Sequence, residues 1–265
     1  SYSINSSGVW VQNDSWVSSG IIWAVQNGAD ILSNSWGGGS PSTAITNAIN
    51  YAVNSGRSGK GCTVLFSTGN FNTNVAYPAT LPNVIAVGAS SPCDQRKTPS
   101  SCDGETWWGS NFGSALDVVA PGVKIYATDI TGSNGYNVGD YNSHFNGTSS
   151  ACPNAAGVAA LALSINPNFS QNQIREILEK SAEKVGGYNY STAVGKLNGI
   201  WNNEMGYGRL NALNAVKRAK DFDLLNSHYI TGPTQITPGY QATYKLENPY
   251  VYATSYVWSI PSGCT

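Results

Sequence analysis

The sequence has few charged residues, two histidines and no long apolar run. Charged residues make up 11% of its 265 residues, the formal net charge is −1, and no block of like charges occurs. The sequence therefore contains no cluster of positive charge that would bind a nucleic acid or an anionic membrane surface. No apolar stretch approaches the ~20 residues that a membrane-spanning helix needs. We accordingly predict no nucleic-acid partner and no transmembrane segment, and the sequence leaves the oligomeric state open.

The sequence also lacks an initiator methionine and an N-terminal leader. It begins at Ser1 without a positively charged segment and apolar core, and it ends at Thr265 in a stretch with the features of strand and turn. Any signal peptide would therefore lie upstream. We expect the sequence to be an internal fragment of a longer, secreted chain.

The five cysteines have no metal-binding spacing such as Cys-x-x-Cys. Cys93 and Cys102 flank a polar loop rich in Ser and Pro, which predicts a loop-closing disulfide and an oxidising compartment. A metal site that combines them with Asp94 and Asp103 is the weaker alternative. Two further cysteines adjoin apolar segments and are predicted to be buried free thiols: Cys62 and Cys152.

Helical and strand patterns alternate along most of the chain. Amphipathic spacing predicts five helices, at about 15–27, 41–53, 151–164, 170–178 and 210–220. Apolar runs predict four strands, at 29–33, 63–67, 84–89 and 116–120. Ser170 and Gln173 form a capping box. Residues 1–13 have no regular pattern, and 134–141 has the glycines of a hairpin. The alternation predicts a three-layer α/β fold with a mostly parallel sheet.

The pattern changes near Phe222. Turn signals at 230–233 and 236–239, followed by period-two alternation at 240–244, predict the start of an all-β, immunoglobulin-like sandwich. The predicted domains are therefore residues 1–222 and a truncated β module at 223–265. A carbohydrate-binding role for the Trp and Tyr residues of that module is an alternative that the sequence does not test.

A serine at the start of a helix of small residues is the first candidate for chemistry. Ser149 follows Gly147 and Thr148, and a helix N-terminus favours negative charge beside its first residues. Pro153 fits the first turn of a helix that begins near residue 151. Taken alone, Ser149 is more simply an N-cap, and Asn70, after a glycine at a strand end, is more simply a turn residue.

Several blocks in order resemble the subtilase family of serine peptidases over about residues 15–220. The segment 147–161 resembles the family's nucleophile motif, 29–38 resembles the strand that lines its substrate cleft, and 64–70 resembles the strand that ends in its oxyanion Asn. Five connecting blocks match as well: 77–79, 84–89, 110–113, 119–122 and 206–212. We therefore identify the chain as a member of this family, with a subtilisin-like fold.

The resemblance implies a serine endopeptidase that acts on polypeptides. It assigns the nucleophile to Ser149, and the oxyanion hole to the Ser149 N–H with the side-chain amide of Asn70. Phe71 would lie near the rim of the S1 pocket and Ala76 near its base, so an apolar or broad P1 preference is expected. Two backbone segments would wall this pocket and pair with the substrate: Ser35, Trp36 and Gly37 on one side, and Ser67, Thr68 and Gly69 on the other.

The family's other two triad residues have no counterpart in this sequence. Neither the His-Gly-Thr motif of the base nor the Asp-Ser/Thr-Gly motif occurs. His144 and His228 occupy other positions, and Asp14 lacks the glycine. We expect both motifs upstream of Ser1 and the chain alone to be inactive, since the triad works as a unit. The alternative is a pseudopeptidase that serves as a binding or structural module. No cofactor or metal ligand is predicted; calcium often stabilises subtilases, but no residue here is assigned to it.

Overall fold

The structure is a computed structural model that describes residues 2–4, 10–227, 229–231 and 245–247, with side chains for 13–223. The chain divides into two units, Ser1–Ala219 and Lys220–Thr265. The elements in chain order are β1 (Tyr2–Ile4), β2 (Trp10–Gln12), α1 (Asp14–Gln26), β3 (Ile31–Asn34), α2 (Thr43–Ser55), β4 (Thr63–Ser67), β5 (Ile85–Ser90), β6 (Val118–Pro121), β7 (Ile125–Thr128), β8 (Tyr141–Phe145), α3 (Thr148–Ile165), α4 (Gln171–Ser181), α5 (Ala212–Ser227), β9 (Tyr229–Thr231) and β10 (Lys245–Glu247).

A parallel four-stranded sheet in the order β3-β4-β5-β6 forms the centre of the first unit. Every residue of β4 and β5 is buried, as expected for parallel strands covered on both faces. The prediction of an α/β fold with a parallel sheet is confirmed. Among the described strands β3 pairs with β4 alone, so its other edge carries no described partner.

Successive residues of β4 point to opposite faces of the sheet. Val64 and Phe66 belong to a core cluster with Ile45 and Ile49 of α2 and with residues of α1. Leu65 is equally buried and points the other way, and α3 crosses all four strands. Helices therefore cover both faces.

The helix ends follow from local capping. Asn13 and Ser42 accept hydrogen bonds from the backbone N–H groups of Ser15 and Ile45, which begin α1 and α2. The capping box at Ser170 that the sequence predicts is present. No helix among the described residues is long and apolar enough to cross a bilayer.

The glycine-rich stretch 134–141, predicted to belong to a hairpin, lies in the connection between the antiparallel strands β7 and β8 and includes the first residue of β8. Three other local predictions differ from the structure. The segment 1–13 was expected to be irregular, but β1 and β2 pair there as an antiparallel hairpin. Helix α3 begins at Thr148, which places Pro153 inside it instead of in its first turn. Helix α5 continues to Ser227, beyond the predicted end of the helix at 220.

In the second unit β9 and β10 form an antiparallel pair. The remainder of the predicted immunoglobulin-like module lies outside the described residues, and so does His228.

Candidate active site

The candidate residues meet at the carboxyl edge of the parallel sheet. Ser35 follows β3, Asn70 follows β4 by three residues, and Ser149 is the second residue of α3. In open α/β sheets ligands bind outside the carboxyl ends of the strands. The sheet therefore places all three at the edge where a ligand is expected.

Ser149 is half-buried in the first turn of α3. Its backbone N–H has no acceptor within the helix, because first-turn amides lack a residue four positions earlier in the helix. Its hydroxyl Oγ donates to the carbonyl oxygen of Ser35 at 3.4 Å, which is too long for a strong O–H···O bond. Ser149 thus presents an amide and a weakly held hydroxyl to the cleft.

The side chain of Asn70 is oriented by Thr148. Its Oδ1 accepts hydrogen bonds from the backbone N–H and the hydroxyl of Thr148, both at 2.8 Å. The Thr148 hydroxyl in turn accepts from the N–H of Gly69 at 3.2 Å. Because a backbone N–H can only donate, the Asn70 oxygen must face Thr148 and Nδ2 must face the other way. Sequence reasoning gave Thr148 no role, although it lies inside the Gly-Thr-Ser motif.

Asn70 Nδ2 and the Ser149 N–H border one small space. A Cβ atom on Gly147 would lie 3.2 Å from Asn70 Nδ2 and 3.5 Å from Ser149 N. Gly147 has φ 115°, a conformation that suits glycine, and its missing side chain keeps the space open. Two N–H donors beside a serine hydroxyl are what an oxyanion hole for acyl transfer contains.

The first predicted wall, residues 35–37, is tied to Ser149. Pro153 has no N–H, so the Ser149 carbonyl loses its usual helical donor. The hydroxyl of Ser35 takes that place and donates to the Ser149 carbonyl at 2.8 Å. Trp36 is half-buried and packs edge-on against Phe66, with ring centroids 5.0 Å apart. Ser35 and Gly37 are exposed, so this wall is open to a ligand.

The second predicted wall, residues 67–69, uses its donors within the protein. The N–H of Thr68 donates to Val87 O at 3.1 Å, and the Thr68 carbonyl accepts from Ala76 N at 3.0 Å. The Gly69 N–H is bonded to Thr148, as described above. The structure thus brings Ala76 beside Thr68 and leaves the N–H groups of Thr68 and Gly69 occupied. That this segment walls an S1 pocket and pairs with a substrate stays a prediction.

Asn111 organises the segment after Asn70, and sequence reasoning missed it. It is 1% exposed; its Oδ1 accepts from the N–H groups of Phe71 and Thr73 at 2.9 and 3.2 Å, and its Nδ2 donates to Thr68 O at 3.0 Å. Phe71 itself is exposed at the rim. Asn111 lies in a block that resembles the family, but its bonds reach back 38 to 43 residues and leave no local pattern.

The loop 93–109 packs beside this segment and is cross-linked twice. A disulfide joins Cys93 to Cys102. Lys97 and Asp103 form an ion pair of 2.8 Å in which both side chains are fully buried. The Lys97 Nζ also donates to three other oxygens of the loop: Thr98 O, Ser101 Oγ and Glu105 O. Desolvation raises the pKa of Asp103, but hydrogen bonds from Lys97, from Ser101 and from the Glu105 N–H together lower it below its ordinary value.

The other titratable residues considered as metal ligands or triad members make no described bond to Ser149. Asp94 pairs with Arg209 and Asp103 with Lys97, and within residues 13–223 no three His, Cys, Asp or Glu side chains are placed to hold a metal ion. His144 is exposed on β8, with Nδ1 2.8 Å from the Ser143 hydroxyl. Asp14 is exposed at the start of α1.

The free thiols are buried. Burial raises the pKa of the Cys152 thiol, next to the nucleophile segment, and that of Cys62. Both therefore remain protonated at neutral pH and are poor nucleophiles. Ser149 is the candidate nucleophile with open access.

A groove of about 330 Å³ runs along β3 and α1 rather than over Ser149. It is lined by Val17, Ile21 and Ala24 of α1 and by Ile31, Leu32 and Trp36 on the strand side, with four further residues. Its lining includes all four residues of β3, the strand that has a described partner on one side only. The groove is therefore an apolar surface next to the Ser35 wall.

The profile of the subtilase family, Peptidase_S8, matches residues 9–208. The chain belongs to the subtilase family.

The curated relatives are named as proteases. Over 229 residues the chain is 38% identical to the calcium-dependent protease of Trichormus variabilis, a match that covers 75% of this chain and 33% of that protein. Over 181 residues it is 38% identical to the subtilisin of Bacillus pumilus, covering 66% of this chain and 58% of that one. The chain thus spans between a third and three fifths of the length of these two relatives.

Two solved structures share the fold. A protease from Pseudoalteromonas arctica PAMC 21717 superposes with a TM-score of 0.58 at 29% identity, over 76% of this chain and 57% of that one. The prenylagaramide maturation protease PagA superposes with a TM-score of 0.59 at 25% identity, over 82% of this chain and 71% of that one.

Proposed function

We propose that this chain carries the nucleophile, the oxyanion hole and the substrate-cleft walls of a secreted serine endopeptidase. The observation that carries the proposal is the pair of bonds from Thr148 to Asn70 Oδ1, which turn Asn70 Nδ2 toward the space beside the Ser149 N–H. Donors fixed in advance stabilise a developing oxyanion without reorganisation. A turn-forming Asn or an N-capping Ser would need no such alignment.

In the proposed reaction Ser149 Oγ attacks the carbonyl carbon of a peptide bond while its proton passes to a general base. The carbonyl oxygen becomes an oxyanion that accepts hydrogen bonds from Ser149 N and Asn70 Nδ2. Return of the proton to the departing amine breaks the C–N bond and leaves an acyl-serine. Water then hydrolyses the ester by the same two steps, with the same base.

We propose that this base comes from a polypeptide segment outside residues 1–265. Ser149 Oγ contacts a carbonyl oxygen and no described imidazole, and the one described histidine is bonded to Ser143. The groove along β3 supports the proposal, because a parallel sheet buried on both faces rarely leaves an apolar edge uncovered. An added strand there would lie next to Ser35 and hence to Ser149.

Further features of the chain belong to the same proposal. The Cys93–Cys102 disulfide supports an oxidising, extracellular location, and residues 223–265 are proposed to begin a β-sandwich module. Exposed Phe71 and half-buried Ala76 support an apolar or broad P1 preference. Two relatives are named as calcium-dependent; the proposed mechanism assigns calcium no residue within 13–223.

The test uses the complete reading frame that contains this chain, alongside the 265-residue chain itself. We expect the complete protein to cleave peptides and to react covalently with a fluorophosphonate, which labels activated serines. Ser149→Ala should abolish both. Asn70→Ala should lower kcat by about 10²–10³-fold, the size of effect that loss of the corresponding donor has in subtilisin. The 265-residue chain alone should remain unlabelled.

A binding or structural module is the second candidate, since no described base contacts Ser149. A complete protein that folds, cleaves no peptide and takes up no fluorophosphonate would establish it and refute the peptidase. Labelling of the 265-residue chain by itself would refute the proposal that its base lies elsewhere.

A further inference from the structure

Two consecutive tryptophans at the end of the 93–109 loop have opposite environments. Trp108 is 3% exposed and its Nε1 donates to Glu105 at 2.8 Å, whereas Trp107 is 72% exposed. The two rings lie 5.9 Å apart. The buried indole is an anchor of the loop, and the exposed indole is held beside it with most of its surface in water.

The loop is attached to both halves of the candidate site. The Gly109 N–H donates to the carbonyl of Asn70 at 3.3 Å, and the Asn72 N–H donates to Gly109 O at 2.8 Å. On the other half, the carboxylate of Glu105 accepts from Asn146 Nδ2 at 2.8 Å. Asn146 directly precedes the Gly-Thr-Ser segment, so Glu105 links Trp108 to the strand that leads to the nucleophile.

These bonds place the end of the loop, two residues after Trp107, beside the backbone of Asn70. Trp107 is two residues from Gly109, so their Cα atoms are at most about 7 Å apart. Gly109 is paired with Phe71 in a parallel bridge, and Phe71 is 84% exposed. The exposed aromatic side chains of Trp107 and Phe71 therefore project from adjoining backbone segments next to Asn70.

An indole in this position has a physical reason to bind. An aromatic side chain buries 150–250 Å² when covered, and pairs of aromatic rings gain further stabilisation from their geometry. The buried ion pair and the disulfide hold the loop in place before a ligand arrives, so little conformational entropy is lost on binding.

We propose that Trp107 is a specificity-determining residue that contacts a bulky apolar or aromatic side chain of the polypeptide substrate. The inference rests on the proposed function, because it takes the space beside Asn70 and Ser149 to be the reaction centre. It goes beyond the S1 walls: Trp107 belongs to neither wall, and it recognises a second substrate side chain.

The test measures kcat and KM of the complete protein on quenched fluorescent peptides that vary one position at a time between Phe, Leu and Gly. Trp107→Ala should lower kcat/KM about three- to tenfold for peptides with Phe at one position. The loss should lie in KM and should be absent with Gly there. Trp107→Phe should keep most of the preference. The matched control is Trp23→Ala, since Trp23 is a 66% exposed indole on α1.

The outcomes separate the two proposals. If the wild-type protein cleaves no peptide, the proposed function fails and the inference falls with it. If the wild type cleaves but Trp107→Ala has the same peptide profile as Trp23→Ala, the inference alone is wrong. An equal loss on every peptide, including those with Gly, would also overturn it, because that is the effect of a merely structural residue.

Discussion

The two sides of the candidate site differ in how firmly they are held. The Asn70 side consists of residues 68–71, Asn111 and the 93–109 loop. It is fixed by a disulfide, a buried ion pair and the three hydrogen bonds of the Asn111 side chain. The Ser149 side consists of Ser149, Ser35 and the outer edge of β3. It is held by the reciprocal bonds between Ser35 and Ser149 and by two long contacts of Cys152 Sγ, each 3.7 Å, with Ser33 Oγ and Asn34 O of β3.

The difference in rigidity matches the chemical role that is proposed for each side. An oxyanion hole contributes most when its dipoles are already aligned, which requires a rigid frame. A nucleophile contributes only when a base accepts its proton, and no described residue does so for Ser149. In the proposed mechanism the described residues supply the oxyanion donors, whereas the base that accepts the Ser149 proton lies outside them.

Among the substitutions that test the difference in rigidity between the two sides, Asn111→Ala is expected to have the largest effect. It leaves the part-buried N–H groups of Phe71 and Thr73 without their acceptor and removes one of the two donors to the Thr68 carbonyl, at a cost of about 3–5 kcal/mol in the free energy of unfolding. Urea-induced unfolding measures the loss. The matched change on the other side, Ser35→Ala, removes one exposed donor and should cost about 1 kcal/mol or less. Equal losses for the two variants would show that the sides do not differ.

Removal of the disulfide should have an intermediate effect. The bond joins residues nine positions apart, and the entropy of closing so short a loop corresponds to about 2.5–3 kcal/mol. The double variant Cys93→Ser/Cys102→Ser should unfold at a correspondingly lower urea concentration, and Cys93→Ser alone should behave like it. An unchanged midpoint would mean that the buried ion pair orders the loop without covalent help.

The smallest expected effect is a change in how the stability depends on pH, and it tests the role of Asp103 on the Asn70 side. Its pKa in the folded state is lowered, with desolvation opposing and the bonds from Lys97, Ser101 and Glu105 N–H prevailing. A lowered folded-state pKa stabilises the protein above the unfolded value near pH 4, and this stabilisation is lost as the pH falls through the folded pKa. Asp103→Asn should remove that part of the acid dependence when urea midpoints are compared from about pH 2.5 to 7. Parallel curves for the two proteins would contradict it.

The fold could be predicted from the sequence wherever one local pattern decided it. The apolar run 63–67 became β4 with the predicted bounds, and the Ser-x-x-Gln signature began α4 at the predicted cap. Subtilase membership followed from motifs in order and is confirmed. The start of α3 was placed three residues late, because Pro153 was taken to mark a first turn.

Contacts between distant segments could not be predicted. The sequence shows an Asn in a glycine-rich block and a Lys in a polar loop, and both residue types are usually exposed. Asn111 and Lys97 are buried here because each finds partners that satisfy all of its polar atoms. The Ser35–Ser149 bond is a similar case: Pro153 frees a carbonyl, but only the fold brings the Ser35 hydroxyl to it.

The oxygens around Lys97 have a consequence for how this region responds to its surroundings. A loop whose carbonyl, hydroxyl and carboxylate oxygens point inward commonly encloses a metal ion. Here a tethered ammonium group occupies the centre, so the positive charge can neither dissociate nor be removed by a chelator. The conformation of the 93–109 loop should therefore be indifferent to divalent ions in the medium and only weakly sensitive to salt, since buried charge pairs are poorly screened.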